Sequence, residues 1–165
     1  MERENIGAYL KRIIRQSGMT GKIIAVNAIV FVFFLLIQII ARLYLNDNLL
    51  EQVLGYFGVI ADPAQMIYRP WTLITHFFTH YGFLHFLFNM IVFYFSARIF
   101  VQFFGERRLL STYFVGGIFA YAVHVAAYYA FPLLSAEGPA LMVGASASVM
   151  AVFFAVAVHR PSLKV

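Results

Sequence analysis

Four apolar runs, each close to the length that crosses a lipid bilayer, constrain this chain more than any other feature. They occupy residues 23–45, 83–104, 109–131 and 141–158. A helix needs roughly 20 apolar residues to cross hydrocarbon, and lipid offers no partner to an unpaired backbone N–H or C=O. The runs are therefore expected to be four transmembrane helices of an all-α, polytopic bundle. Hydrophobic residues make up 62% of the chain and charged residues 12%, against roughly half and a quarter in a soluble domain. Little composition is left for a soluble domain. The chain holds no cysteine, which excludes disulfides and cysteine-based zinc or haem attachment.

Charge sets the expected orientation. Arg3, Lys11, Arg12, Arg15 and Lys22 precede the first run, Arg107 and Arg108 link the second to the third, and Arg160 and Lys164 follow the fourth. Between residues 46 and 82, Asp47, Glu51 and Asp62 outnumber Arg69, and Glu137 is the charge between the third and fourth runs. Basic residues stay on the cytoplasmic side, so both ends of the chain are expected inside and residues 46–82 outside. Basic residues beside a span serve orientation and contact with the lipid bilayer, so no nucleic-acid partner is expected. Residues 1–22 read as a basic cytoplasmic segment, with Ile6, Leu10, Ile13 and Ile14 at the spacing of an amphipathic surface helix. Residues 23–165 read as the membrane domain. The first run exceeds a signal-peptide core and lacks a small-residue cleavage site, so it is expected to be retained. Residues 46–82 are themselves apolar and too long for a structureless loop. They are expected to lie partly in the interface, with Tyr68 and Trp71 at headgroup level.

Polar residues then fall at one depth. His85 and Asn89 are four apart near the outer end of the second run and share a helical face. Ser146 lies near the outer end of the fourth run, which crosses in the same direction. Polar side chains inside a span face a bundle interior or a wet cavity. A nucleophile and two hydrogen-bond donors are the minimum for acyl transfer, one attacking a carbonyl and the others holding the oxyanion. The same residues also suit packing. Gly144 and Ser148, and Ala147, Ala151 and Ala155, recur at four-residue spacing, which lets helices approach closely. A serine can also bond back to its own helix.

The segment "RPWTLITHFFTHYGFLHFLFNM" (residues 69–90) resembles the first loop and second helix of the rhomboid intramembrane serine proteases. "GASAS" (residues 144–148) resembles their G-x-S motif at the start of the fourth helix, and "GERR" (residues 105–108) falls where they carry E-x-R. The three motifs stand in the family's order. The resemblance implies that Ser146 is the nucleophile and that His85 and Asn89 help the Ser146 amide bind the oxyanion. It gives structural roles to Arg69, Trp71, His80, Glu106, Arg108 and Gly144, and His76 opens the histidine pattern. It implies no cofactor and no metal, transmembrane proteins as substrates, and a multi-pass place in a bacterial inner (plasma) membrane. Ala147 stands where many relatives have glycine and is still small.

In the family the base is a histidine on the sixth helix. The sequence given ends at Val165, so it is expected to be the N-terminal, four-helix portion of a six-helix domain, with its base outside these residues and its activity alone in question. His124 in the third run is expected to bond a neighbouring helix, and His159 lies at the opposite side of the membrane. Two other classes stay open. One is a non-catalytic rhomboid-like protein that binds membrane clients, for which loss of the serine would be the usual sign. The other is a membrane protein with haem or metal on His76, His80, His85 and His124, which an absorbance spectrum would reveal.

Overall fold

The computed structural model describes residue 7 and residues 17–44, 47–136, 138 and 140–159. The expected amphipathic helix before Ser17, and Glu137, Arg160 and Lys164, lie outside these residues. In chain order the elements are α1 (Gly18–Leu43), α2 (Asp47–Phe57), β1 (Val59–Ile60), α3 (Pro63–Tyr68) and α4 (Thr72–Thr75). They continue with α5 (Phe83–Phe104), α6 (Glu106–Ala130), α7 (Pro132–Ser135), β2 (Leu141–Met142) and α8 (Ser146–His159). Helices α1, α5 and α6 are long and apolar enough to cross a membrane. The molecule is an integral membrane helical bundle.

Two long helices start earlier than their apolar runs. Helix α1 begins at Gly18 rather than residue 23, and α6 at Glu106 rather than residue 109. The first turn of each lies where polar residues cost nothing, so hydropathy does not mark it. Glu106 explains both starts. It occupies the first turn of α6, and its carboxylate rests against Gly18 at the start of α1. An acid at a helix N-terminus is stabilised by the N–H groups and dipole there. Gly105, at φ +81, ends α5 and begins α6.

The fourth run differs most from expectation. Among the described residues its helix covers Ser146–His159, while Leu141–Met142 forms β2 and pairs antiparallel with β1 (Val59 with Met142, Ile60 with Leu141). Hydropathy alone cannot separate a long helix from a strand, turn and shorter helix of equal apolarity. The break falls at Gly144, whose φ of +113 suits glycine far better than any other residue. Residues 46–82 are structured, as expected, and Tyr68 is exposed there.

Helix α8 packs along both α5 and α6, while α1 packs on α2, α5 and α6. Phe77, Phe93, Leu109, Tyr113, Val149 and Val152 are fully buried where these elements meet. Lipid removes most hydrophobic drive between helices, so close backbone approach has to supply the contact. Gly116 of α6 supplies it: a Cβ there would run into Ala151 of α8. At Gly117 a Cβ would run into the Phe77 ring.

Candidate active site

Between the N-terminal halves of α5 and α8 lies an open cleft of about 230 Å³, and His85, Asn89 and Ser146 all line it with Phe88 and Met150. Helix α5 contributes its first two turns. Gly82, at φ +88, lets the chain turn into the helix, and His85 and Asn89 follow one turn apart on the face toward α8. The Asn89 amide donates to the His85 carbonyl at 2.8 Å. That bond uses one of its two N–H donors and fixes the side chain along the cleft wall.

Ser146 is the first residue of α8 and is exposed to the cleft. Its own amide belongs to the first turn, where a helix leaves its N–H groups without internal partners. The residues just before it are held by the loop. The Gly144 N–H donates to the His76 carbonyl at 2.8 Å, and the Ala145 N–H donates to His80 Nε2 at 3.3 Å. Non-helical backbone at membrane depth needs such partners. Gly144 is required twice over, because a Cβ there would lie 2.7 Å from Cε1 of His85 in addition to the strained φ.

His80 has one tautomer that fits. With Nε2 accepting from Ala145, Nδ1 carries the proton and donates to the Phe78 carbonyl at 3.2 Å. Its burial, offset in part by the Phe78 bond, and the nearby His85 hold its pKa down at about 4. The ring is therefore neutral at physiological pH and keeps its lone pair for Ala145. His76 is buried likewise and its pKa falls to about 4, chiefly through desolvation. Its Nδ1 bonds the Thr72 carbonyl at 2.7 Å, and its Nε2 has no partner among the described residues.

The other sequence-predicted residues lie around this centre. Arg69 donates to the Gly55 carbonyl at 3.2 Å and Trp71 to the Tyr56 carbonyl at 3.0 Å, so both clamp the end of α2. Glu106 sits against Gly18, and Arg108 is exposed. His124 approaches the Ala140 carbonyl at 3.5 Å and does not line the Ser146 cleft. His159 meets the Phe104 ring edge-on at the far end of α8, about 20 Å of helix rise from Ser146. Among the described residues no cluster of three or more His, Asp or Glu side chains could hold a metal.

Sequence reasoning missed one bracing pair. Asn27 of α1 donates to the Tyr113 hydroxyl at 3.2 Å, and Tyr113 donates to the Phe77 carbonyl at 3.3 Å. This ties α1 and α6 to the loop that carries His76 and His80. A lone asparagine within an apolar run was the available signal.

A family model described as "Rhomboid domain" matches residues 68–165, more than half of the chain. No curated protein matches the sequence.

Proposed function

The chain belongs to the rhomboid family, and from that premise we propose that it is an intramembrane serine protease hydrolysing peptide bonds in or near transmembrane segments of membrane proteins. The observation that carries this is the shared cleft of Ser146, His85 and Asn89 at the start of α8. Ser146 Oγ attacks the scissile carbonyl. The oxyanion that forms takes hydrogen bonds from the Ser146 amide, His85 and the remaining N–H of Asn89, donors already in place before the charge develops. Serine needs a base to accept its proton. In this proposal a histidine on the family's sixth helix fills that role, and none of the chain's own five histidines does. The chain lies with its N-terminus in the cytoplasm of a bacterial cell and the cleft toward the outside.

The test is cleavage of a transmembrane substrate in liposomes by the protein extended through the family's fifth and sixth helices. Cleavage that survives Ser146→Ala, or its absence from a folded wild type, would sink the proposal. In the second case a client-binding rhomboid relative takes its place. For residues 1–165 alone, a fluorophosphonate probe is expected to leave Ser146 unlabelled. Labelling lost in both Ser146→Ala and His124→Ala would make His124 the base.

A further inference from the structure

A second polar site lies at the opposite end of the bundle, where α1 starts and α5 ends. A cleft of about 440 Å³ opens there between the two helices, lined by Ser17, Thr20, Tyr94, Arg98 and Glu106 among others. Its volume falls within the roughly 300–1,000 Å³ of small-ligand sites. Arg98 is the unusual member. It lies inside a membrane-crossing helix, about 9 Å of rise before Phe104, yet its side chain is exposed. An ionised residue inside a span is costly, and such residues mark the place of a partner.

Both described polar contacts of Arg98 are with one neighbour. It donates to the Tyr94 hydroxyl at 3.1 Å, and its guanidinium carbon lies 5.5 Å from the centre of that ring. A guanidinium carries five N–H donors, and the Tyr94 hydroxyl, having accepted one, still has its own proton to donate. The pair presents a fork of donors suited to a phosphate. Glu106 brings the opposite charge to the same cleft, next to Gly18. The site thus holds a cation and an anion at one boundary of the membrane, with the basic residues Lys22, Arg107 and Arg108 nearby in sequence.

We propose that this cleft binds the headgroup of phosphatidylethanolamine, with the phosphate on Arg98 and Tyr94 and the ammonium on Glu106. Basic pockets between helices are recurrent headgroup sites, and the acid selects among headgroups. Ethanolamine brings a cation with N–H donors to the carboxylate, choline a cation with none, and phosphatidylglycerol neutral hydroxyls that leave the Glu106 charge unbalanced. The inference needs only the spanning helices. It stands whether or not Ser146 is a nucleophile.

Native mass spectrometry of the purified chain with equimolar phosphatidylethanolamine, phosphatidylcholine and phosphatidylglycerol tests it. The wild type should retain phosphatidylethanolamine about tenfold above either competitor, the factor that one charge-assisted hydrogen bond provides. Arg98→Gln should lose that retention, and Glu106→Gln should bind phosphatidylethanolamine and phosphatidylcholine alike. Tyr94→Phe keeps the charge and lowers retention several-fold, which preserves the test if Arg98→Gln does not fold. Equal retention of all three lipids by the wild type overturns the proposal. So does unchanged phosphatidylethanolamine retention in Arg98→Gln or Tyr94→Phe, or unchanged selectivity in Glu106→Gln. A variant lacking residues 1–16 should bind as the wild type does. Retention that appears only in that variant would mean that the segment itself fills the cleft, and the proposal fails.

Discussion

Helix α8 carries two serines two residues apart, and its two faces treat them oppositely. On the side toward α5, Ser146 is exposed in a cleft with His85 and Asn89. Toward α6, Gly116 has no room for a Cβ beside Ala151, and Ser148 is buried with its hydroxyl unpartnered among the described residues. The difference shows that small polar residues in a membrane helix have two uses, and the neighbour's distance decides between them. At Ser148 smallness matters and the hydroxyl is incidental. At Ser146 the proposed chemistry needs the hydroxyl itself.

The largest test of that contrast is substitution of each serine in the extended protein. Ser146→Ala should remove cleavage, a loss on the order of 10⁶-fold when a serine nucleophile is deleted. Ser148→Ala should keep most of the rate and leave stability unchanged or raise it by about 1 kcal/mol, because it removes a buried unpaired hydroxyl. Equal losses of rate in the two would break the comparison. Rates measured beside thermal melts separate the two cases.

Next come the cleft's own donors. His85→Ala and Asn89→Ala should each lower turnover by on the order of 100-fold to 1,000-fold, with melting temperatures near the wild type. Turnover unchanged in both would make the cleft wall structural.

Glycines on the two faces sharpen the contrast further. Gly144→Ala meets both a positive φ and the His85 ring, and should cut turnover more than stability, the latter by about 1–3 kcal/mol. Gly116→Ala meets Ala151 across the tight face. It should cost a similar 1–3 kcal/mol while each folded molecule keeps its rate. Denaturation and kinetics on the same samples would show whether the two effects separate.

The last expected effect is read in stability against pH. Burial holds His76 and His80 at pKa values of about 4 in the folded state, below the ordinary 6.5 of histidine. The unfolded chain therefore binds more protons between these values. Stability is fully present above about 6.5 and is lost as pH falls toward 4, by up to about 3 kcal/mol for each histidine. His80→Gln should flatten part of this slope in melts taken from pH 7.5 to 4.5. A slope unchanged in His80→Gln would show that burial does not hold this ring neutral in the folded state.

Much of this arrangement was legible beforehand. Apolar length marked three membrane-crossing helices, because lipid demands internally bonded backbone over a fixed thickness. The four-residue step from His85 to Asn89 placed both on one face, because helical period leaves no alternative. Ser146 and Ser148 were separable for the same reason. Less was legible in the fourth run, where Leu141–Met142 became a strand. Leucine and methionine are as apolar in a strand as in a helix, and the partner strand lies some 80 positions earlier in the chain (Ile60 pairs with Leu141).

The sequence alone determined what each helix is made of: its period, its apolarity and the small or polar residues on each face. Tertiary structure alone decided how far each face stands from its neighbour. It left Ser146 exposed in a cleft and buried Ser148, gave the Gly144 and Ala145 amides to His76 and His80, and set Glu106 against Gly18. Those outcomes depend on contacts between residues far apart in the chain. A local pattern encodes a residue's direction from its own helix axis but carries no measure of what stands opposite.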